Sequence, residues 1–576
     1  MNYSTIDSDV LIIGAGGGGL RAALELDQSK LDVLVVGKRD FGDAHTVKAA
    51  GGINASLGNL DPEDNWKIHA ADTLREGGFI NDPRAVELLC KKVPDRVKEL
   101  REWGCNFNLT DSGRIDQRYF GAQSFRRTCF VGDRTGKAIE ETLVDAIKRT
   151  NVSRKQEVVV TKILTEEGRA IGAVGYDKKS AELVLFKAKA VLLAAGGYTQ
   201  TYSQSSSRPH ENTGDGPALA FDAGARLQDM EMVQFHPTGM VKPEEKLGSL
   251  VTEAVRGEGG KLFNANGERF MERYSPQKME LDARDKVARA IYREIEKGNG
   301  TKAGGVYLDI SHEDSESVRE RLPGIVEKFR EVGVDPTGEK MEVAPTTHYS
   351  MGGVQIDFET GETAVEGLFA VGEVTAGLHG ANRLGGNSLA EVVTFGQHVA
   401  TALKEYAKSV NRPSVSEGTI KSGLTEIEEI GNGHGDNDPN ELLDELGRIL
   451  WDHAGIVRTE DGLKKGLTRI QALRKKAEHL EPVPNIHSEK FDRAVELKFA
   501  LPVAESIVRS AIAREESRGA HYRDDYRDRL EDWKKNIEVT GSPEHPELDT
   551  RKIEKIPDAI KEALEKGYEL DYHHLE

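Results

Sequence analysis

Cysteine is scarce in this chain, with three residues, Cys90, Cys105 and Cys129, among 576. None of them is spaced from another as C-x-x-C. This argues against a disulfide framework, a zinc site or an iron–sulfur cluster built by this chain alone. We therefore predict no metal site, and a reducing compartment fits the composition.

The chain also lacks long apolar runs and an excess of positive charge. No stretch of about 18 or more apolar residues occurs, so no segment is expected to span a bilayer, and the N-terminus shows no signal-peptide pattern. Asp and Glu number 97 against 78 Lys and Arg, which gives a net charge of −19. That charge disfavours nucleic acid or an anionic membrane surface as a direct partner. An anionic substrate would need a local cluster of basic side chains.

A glycine-rich turn near the N-terminus is the first segment with a specific chemical meaning. Residues 9–13 predict a buried strand, a helical stretch follows the turn, and residues 32–36 predict a second strand. This βαβ order with G-x-G-x-x-G spacing is typical of dinucleotide-binding folds, where backbone N–H groups approach a pyrophosphate at the helix N-terminus. The predicted cradle consists of Gly14, Ala15, Gly16 and Gly19.

The second strand departs from the pattern of NAD-dependent dehydrogenases. It ends in Gly37 and Lys38, where those enzymes carry an acidic residue that holds the ribose. Asp215 and Glu373, each in a glycine-flanked turn, are substitute candidates for contacts with the dinucleotide, together with Lys38. Either acid could equally be a simple turn residue. A typical NAD-dependent dehydrogenase is therefore disfavoured.

The length of 576 residues exceeds what one hydrophobic core supports, so two to four domains are expected. Residues 411–440 are poor in apolar periodicity, whereas Leu442, Leu446 and Ile449 recur at helical spacing. The predicted divisions are a dinucleotide-binding domain over 1–230 and 347–410, an inserted domain over 231–346, a linker over 411–440, a helical domain over 441–535 and a charged C-terminal arm over 536–576.

With these features in order, the chain resembles the flavoprotein subunits of succinate dehydrogenase and fumarate reductase, a family that also contains L-aspartate oxidase. The resemblance runs from about residue 8 to 405 and resumes through the helical region to about 526. Its most specific segments are Ala-His-Thr-Val-Lys-Ala-Ala-Gly-Gly (44–52), Gln-Phe-His-Pro-Thr-Gly (234–239), Thr-Glu-Ala-Val-Arg-Gly-Glu-Gly-Gly (252–260), Arg-Asp-Lys-Val (284–287), Pro-Thr-Thr-His-Tyr-Ser-Met-Gly-Gly (345–353) and His-Gly-Ala-Asn-Arg-Leu-Gly-Gly-Asn-Ser-Leu (379–389). It implies an α/β fold: a Rossmann-type FAD-binding domain interrupted by an α+β capping domain and followed by a C-terminal helical bundle.

The resemblance also implies FAD as the cofactor, with a covalent bond from His45 to the flavin 8α carbon. Members that form electron-transfer complexes have histidine at this place, whereas the aspartate oxidases lack it. Such a tether raises the reduction potential of the flavin, which suits a donor as poor as a saturated dicarboxylate. The further residues that the resemblance places at the FAD are Thr46, Gly51, Gly52, Ser388 and Leu389.

Phe120 separates two branches of the family. The amino-acid oxidases place a glutamate there, which receives the substrate ammonium. Phenylalanine cannot pair with a cation in that way, but it packs against the methylenes of a dicarboxylate without an amine. Together with His45, it favours succinate and fumarate over L-aspartate.

Two carboxylates on one short substrate require donors at both ends. Arg383 can form a bidentate pair with one of them. His236 and His348 are suitable donors to carboxylate oxygens, and Thr252 offers a hydroxyl.

By resemblance, Arg284 moves the proton, with Glu253 and Arg256 as its relay. An arginine normally keeps its proton up to a pKa above about 12. A second guanidinium nearby would disfavour the charged form, and a carboxylate would return the proton.

The partners implied by the resemblance are an iron–sulfur subunit, together with membrane anchor subunits and quinone. They would hold the chain on the cytoplasmic side of the inner membrane. Three alternatives stay open: an L-aspartate oxidase that releases peroxide, a soluble fumarate reductase that uses thiol or other donors instead of quinone, and a flavin-binding subunit without turnover.

Overall fold

The computed structural model describes residues 3–568. The strands of this part are β1 Tyr3–Asp7, β2 Val10–Ile13, β3 Val33–Gly37, β4 Ile53–Asn54, β5 Gln117–Arg118, β6 Thr128–Cys129, β7 Ser153–Gln156, β8 Val158–Glu166, β9 Arg169–Asp177, β10 Leu183–Lys187, β11 Ala190–Leu193, β12 Leu227–Gln228, β13 Val233–Met240, β14 Lys261–Phe263, β15 Val306–Asp309, β16 Met341–Ser350, β17 Gly353–Val354, β18 Leu368–Ala370, β19 Lys535–Gly541 and β20 Pro546–Lys552.

Its α-helices are α1 Gly17–Asp27, α2 Trp66–Glu76, α3 Pro83–Glu102, α4 Thr135–Ile147, α5 Asp215–Asp222, α6 Ala254–Gly257, α7 Met271–Tyr274, α8 Arg284–Glu296, α9 Ser315–Arg321, α10 Pro323–Arg330, α11 Asn387–Ser409, α12 Glu417–Gly431, α13 Pro439–Ala454, α14 Glu460–Ala477, α15 Glu489–Ala513 and α16 Asp558–Lys566. Within residues 3–568, no helix is both long enough and apolar enough to cross a membrane.

A five-stranded parallel sheet in the order β18–β11–β2–β3–β7 organises the first domain. Strands β2 and β11 are buried at every residue, as expected for a parallel sheet that is covered on both faces. The carboxyl ends of β2, β3 and β18 bring Gly14, Lys38 and Glu373 to the same edge. Ligands of doubly wound sheets bind at that edge, so the predicted cradle residues meet where a dinucleotide would lie.

The inserted domain has its own core and its own sheet. Strands β13–β16–β15–β14 form an antiparallel sheet with helices α6 to α10 around it. A separate apolar cluster includes Leu262, Phe270, Leu308 and Phe329. Strand β16 continues to Ser350, slightly past the predicted boundary at 346. Phe120, from the FAD-binding part of the chain, packs into this second core.

The C-terminal region contains the predicted bundle. Helices α13, α14 and α15 pack against one another in all three pairs. Asp438 caps α13, since its carboxylate accepts from the Asn440 N–H at 2.8 Å, and Pro439 occupies the first turn.

Two of the sequence predictions for this half are wrong in part. The expected linker 411–440 contains α12, whose Ile420, Leu424 and Ile427 are buried against the β8 region. These three apolar residues stand at i, i+4 and i+7, the same helical spacing as Leu442, Leu446 and Ile449, so the pattern indicated a helix that the prediction of a linker overlooked. Ser416 caps it by accepting from the Thr419 N–H at 3.2 Å.

The expected C-terminal arm is largely structured as well. Strands β19 and β20 form a hairpin that joins β12 and β17 in one sheet, and α16 packs on α2. Ile537 and Val539 provide the buried face of β19, a two-residue signal hidden in a charged segment. Residues 569–576 of the predicted arm lie outside the described residues.

Candidate active site

A cavity of about 1670 Å³, its open mouth included, lies between the carboxyl edge of the parallel sheet and the inserted domain. All residues predicted for the site line it, apart from Gly19 and Arg256. Those at the sheet end are Gly14, Ala15, Gly16, Lys38, His45, Thr46, Gly51, Gly52, Asp215, Glu373, Ser388 and Leu389. Those at the other end are Phe120, His236, Thr252, Glu253, Arg284, His348 and Arg383.

Gly19 and Arg256 each lie behind a residue that lines the cavity. A Cβ on Gly19 would stand 2.1 Å from the Gly14 carbonyl oxygen, so glycine is required for α1 to approach the end of β2. Arg256 is buried behind Glu253, with Nη2 3.8 Å from Glu253 Oε1. Arg256 therefore acts on the cavity from behind, through Glu253 and through its charge, which helps to lower the pKa of His236.

The sheet end of the cavity is shaped for a dinucleotide. Gly14 has φ +118°, and a Cβ there would lie 2.1 Å from the Ala194 carbonyl oxygen. The first turn of α1 presents backbone N–H groups to the cavity, and one of them, Gly17, donates to Thr46 Oγ1 at 3.0 Å. A helix N-terminus reached through glycines fits a pyrophosphate.

The acidic group missing at the end of β3 is supplied by α5. Lys38 Nζ donates to Asp215 Oδ2 at 3.1 Å and to Thr213 Oγ1 at 3.0 Å. At the neighbouring strand end, Glu373 accepts from the Ser350 N–H at 3.1 Å. Asp215 and Glu373 are thus both held at the cavity, although neither of them directly follows β3 in the chain.

His45 begins a one-turn 3-10 helix over His45–Lys48. Its Nδ1 lies 3.3 Å from Glu211 Oε2, and Arg208 donates to the same carboxylate. Burial alone would lower the pKa of His45, but the hydrogen bond to Glu211 and its charge raise the pKa above the usual value. Nε2 is therefore the ring nitrogen left to face a ligand. Glu211 carries no motif signal and was not expected from the sequence.

Phe120 closes the cavity against the loop of residues 44–52. The ring is 2% exposed, and a Cβ on Gly51 would lie 2.2 Å from its Cζ. Only glycine at position 51 leaves room for the phenylalanine ring.

A guanidinium–carboxylate pair lies at the other end of the cavity. Arg284, at the start of α8, donates from Nε to Glu253 Oε2 at 2.7 Å. Glu253 Oε1 accepts from the Gly121 N–H at 2.7 Å. Burial tends to raise the pKa of Glu253, but the charges of Arg284 and Arg256 outweigh it and lower the pKa to about 2. Glu253 is thus an anion throughout the ordinary pH range.

Gln234 joins the two arginines that line this end. Its Oε1 accepts from Arg284 Nη1 at 2.9 Å and from Arg383 Nη2 at 3.0 Å. Its Nε2 donates to Asn382 Oδ1 at 2.7 Å, which fixes the amide in this orientation. Arg383 also stacks over the Tyr349 ring, 4.3 Å from its centroid. Gln234 opens the segment 234–239 that marked the resemblance, yet only the structure shows its role.

The two histidines stand side by side in their neutral form. The rings of His236 and His348 are 5.0 Å apart between centroids. Burial, reinforced by nearby positive groups that include Arg284, holds both pKa values well below the usual range. His236 Nδ1 lies 3.2 Å from both the N–H and the carbonyl oxygen of Thr238, and the tautomer that accepts from the N–H carries its ring proton on Nε2. That buried Nε2 has no hydrogen-bond partner within residues 3–568.

The charges at this end do not balance. Arg256, Arg284 and Arg383 contribute three guanidiniums, whereas Glu253 is the one carboxylate bound among them. In the described part of the chain, Arg383 Nε and both Nε and Nη2 of Arg256 have no hydrogen-bond partner. Burial, with Arg284 close by, lowers the pKa of Arg383 to about 9. Guanidiniums thus outnumber the carboxylate bound to them at this end, and their free N–H donors suit a small carboxylate ligand.

Comparison with known proteins agrees with this geometry. The model of the FAD binding domain matches residues 9–389, and the model described as fumarate reductase flavoprotein C-term matches residues 443–562. The chain is similar to one of the subunits of the fumarate reductase (CoM/CoB) of Methanothermobacter marburgensis, with 46% identity over 93% of this chain and 98% of that protein. It is also 39% identical to the succinate dehydrogenase flavoprotein subunit of Rickettsia conorii, over 92% of each chain.

Solved structures show the same likeness. A chain of E. coli quinol fumarate reductase superposes with a TM-score of 0.90 at 33% identity, covering 97% of this chain and 99% of that one. Mycobacterium smegmatis Sdh1, solved with UQ1, superposes with a TM-score of 0.86 at 38% identity, covering 97% and 96%.

Fold and site together define an FAD-dependent oxidoreductase. More narrowly, the chain belongs to the family of succinate dehydrogenase and fumarate reductase flavoprotein subunits. The predicted fold class, an FAD-binding domain with an inserted domain and a C-terminal helical region, is confirmed.

Proposed function

We propose that this chain is the catalytic subunit that interconverts succinate and fumarate, with FAD bonded to His45. The observation that carries the proposal is the buried cluster of Arg284, Arg383, His236 and His348 next to the glycine cradle, with free N–H donors on Arg383 and His236. Succinate and fumarate carry a carboxylate at each end of a four-carbon chain, and these carboxylates can accept from such donors. L-Aspartate carries an additional ammonium, for which the apolar Phe120 offers no partner.

The chain's own side chains would bind and polarise the dicarboxylate. Arg383 pairs with one carboxylate and is kept in place by Gln234 and the Tyr349 ring. His236 donates from Nε2, the nitrogen that lacks a partner, and His348 approaches from beside it. When bound, FAD supplies the hydride acceptor or donor at the flavin ring. Phe120 and the inserted domain exclude water from the reacting carbons.

Proton transfer is assigned to Arg284. This side chain lines the cavity, and its Nε donates to Glu253 at 2.7 Å, so a proton given to the substrate carbon can be replaced through that carboxylate. Arg256 keeps Glu253 ionised and ready to receive a proton. Thr252 supplies a hydroxyl beside the same carboxylate.

The covalent bond at His45 and the substrate assignment are tested separately. We expect the purified subunit to reduce fumarate with a reduced dye and to release no peroxide with L-aspartate. Flavin fluorescence that stays on the denatured polypeptide, and disappears in His45→Ala, would establish the bond. Peroxide released from aspartate at a rate similar to fumarate reduction would contradict the proposed substrate.

Electrons would leave or enter through an iron–sulfur subunit linked to membrane anchor subunits and quinone, with this chain peripheral on the cytoplasmic side of the inner membrane. The relatives named as succinate dehydrogenase and the UQ1-bound Sdh1 support this arrangement. Within residues 3–568, no group of three or more His, Cys, Asp or Glu side chains is placed to hold a metal ion, so any cluster would belong to the partner.

A second candidate differs in the electron donor. The 46% identity with the CoM/CoB fumarate reductase favours thiols in place of quinol. Purifying the native complex and assaying fumarate reduction with a quinol, and separately with coenzymes M and B, decides between them. Activity with quinol alone supports the first proposal, and activity with the thiol pair alone supports the second.

A further inference from the structure

An isolated carboxyl group lies behind the loop that carries His45. Glu140 of α4 is fully buried, and neither Oε1 nor Oε2 has a hydrogen-bond partner among the described residues. A buried carboxyl without partners is costly, so its presence in a packed region requires an explanation. The proposed chemistry at Arg284 does not use it.

Helix α4 brings the Glu140 carboxyl to the loop of residues 44–52, which carries His45. Gly136 packs so closely on the loop that a Cβ there would stand 2.1 Å from the Thr46 carbonyl oxygen, and its N–H donates to the Ala49 carbonyl at 2.8 Å. Glu140 lies one turn further along the same face of α4. The structure records no hydrogen bond between Glu140 and Thr46, but among the described residues the Thr46 hydroxyl is the one polar side chain that acts on the pKa of Glu140, so it is the nearest partner on this face.

The Thr46 hydroxyl has one proton and two directions in which to donate it. Its oxygen already accepts from the Gly17 N–H at 3.0 Å, at the first turn of α1. Thr46 also lines the cavity, on the side of the glycine cradle. A protonated Glu140 can donate to Thr46 and leave the threonine proton for the cavity. An ionised Glu140 would instead attract that proton to itself.

Burial raises the pKa of Glu140 to about 8, with the Thr46 hydroxyl lowering it in part, and no charged side chain of the described residues contributes to the shift. The charged side chains on the elements that pack around Glu140 pair with other residues or lie away from it. Arg21 pairs with Glu25 and Glu99, His45 pairs with Glu211, and Lys137 lies near Glu141. Lys48 of the loop 44–52 does not act on the pKa of Glu140. Glu140 is therefore mostly protonated at neutral pH.

We propose that Glu140 is a cofactor-positioning residue, which sets the direction of the Thr46 hydroxyl and thereby the hold of the first glycine turn on FAD. The inference rests on the FAD site of the family and is independent of the proposed substrate chemistry. Below the pKa of Glu140, the acid is neutral and the Thr46 hydroxyl donates its proton towards the FAD site. Above it, the hydroxyl turns away and a negative charge is added near an anionic ligand.

The test measures reversible FAD binding in the full chain. A His45→Ala background is used so that FAD can dissociate whether or not the native protein forms a covalent bond. We expect the Kd for FAD to rise about tenfold or more from about pH 6.5 to about pH 9.5, as for the loss of one hydrogen bond to a charged group. Adding Glu140→Gln, which cannot ionise, should make the affinity independent of pH. The matched control Glu141→Gln, on the exposed side of α4, should keep the full pH dependence.

A second measurement keeps the inference testable if Glu140→Gln does not fold. The infrared carbonyl band of a protonated carboxylic acid should be lost with a midpoint near pH 8. Thr46→Val should retain that titration but bind FAD weakly at every pH. A pH dependence of FAD affinity that survives in Glu140→Gln, or that keeps its full size in Thr46→Val, would overturn the proposal. Since turnover is not measured, failure of the succinate and fumarate assignment would leave this result unchanged.

Discussion

Two groups of buried arginines in this protein have opposite surroundings. In the C-terminal region, Arg514 donates from Nε to Glu231 at 2.6 Å and from Nη2 to Asp229 at 3.3 Å, while Nη1 bonds Glu516 and the Trp533 carbonyl. Arg518 is equally saturated, by Glu516 and by backbone carbonyls. Around the cavity, Arg383 and Arg256 keep unpartnered nitrogens. Arg256 shares the carboxylate of Glu253 with Arg284, whereas Arg383 donates to the neutral Gln234 and Ser388.

The contrast shows how the same residue type serves structure in one place and chemistry in the other. A guanidinium whose donors are all satisfied connects the C-terminal region to the FAD-binding domain and has nothing left to offer a ligand. A guanidinium with free donors in a buried chamber still has N–H groups for an anionic ligand, which is the role proposed for Arg383. Removing an arginine should therefore damage stability in the first group and turnover in the second.

The largest effect is expected at Arg284. Arg284→Ala removes the proposed proton donor while leaving the fold, so turnover with fumarate should fall about 10³-fold or more, as for loss of general acid catalysis. The rate is measured with a reduced dye, and the unfolding midpoint is measured in parallel. Arg284→Lys, which keeps a positive charge, should retain some substrate binding. A near-normal rate in the alanine variant would exclude Arg284 as the acid.

Arg514→Ala tests the structural group. It leaves Asp229 and Glu231 buried without their cation, so the free energy of unfolding should drop by about 3–5 kcal/mol. Arg509→Ala is the matched control on the same helix, since its pair with Glu505 is partly exposed and should contribute less than about 1 kcal/mol. Urea unfolding monitored by circular dichroism provides both values. Equal losses in the two variants would remove the distinction between saturated and exposed arginines.

Gln234→Leu is expected to have the smallest effect of the three. The leucine removes the acceptor shared by Arg284 and Arg383, so both guanidiniums lose one support but keep their charges. We expect kcat/KM for fumarate to fall about tenfold, the equivalent of one hydrogen bond between charged and neutral groups. Steady-state kinetics checks this, with the more exposed Gln355→Leu as a control away from the cavity. An unchanged kcat/KM would show that the arginines hold their positions without Gln234.

The sequence indicated the cradle and most of the lining residues because they lie in short segments with fixed spacing. Gly14, Lys38 and Glu373 meet because each follows a parallel strand, and that order is visible in the apolar runs. Gln234, Glu211 and Glu140 were not assigned, since their roles depend on contacts between segments far apart in the chain.

The missed helix α12 and hairpin β19–β20 have different explanations. The apolar residues of α12 have helical spacing, which was overlooked among the glycines and glutamates. Those of β19, such as Val539, are few, and the tertiary surface that buries them stabilises a strand that the local pattern does not predict.

The charge match between the chamber and a dianion is tested most directly by comparing succinate with its half-amide, succinamate. The two molecules have the same size, but succinamate carries one negative charge fewer. Their affinities can be measured from the change in flavin absorption on titration of the oxidised protein. The loss of one charge-assisted pairing with the buried guanidiniums predicts that succinate binds about 100-fold more tightly than succinamate. Equal affinities would contradict the account.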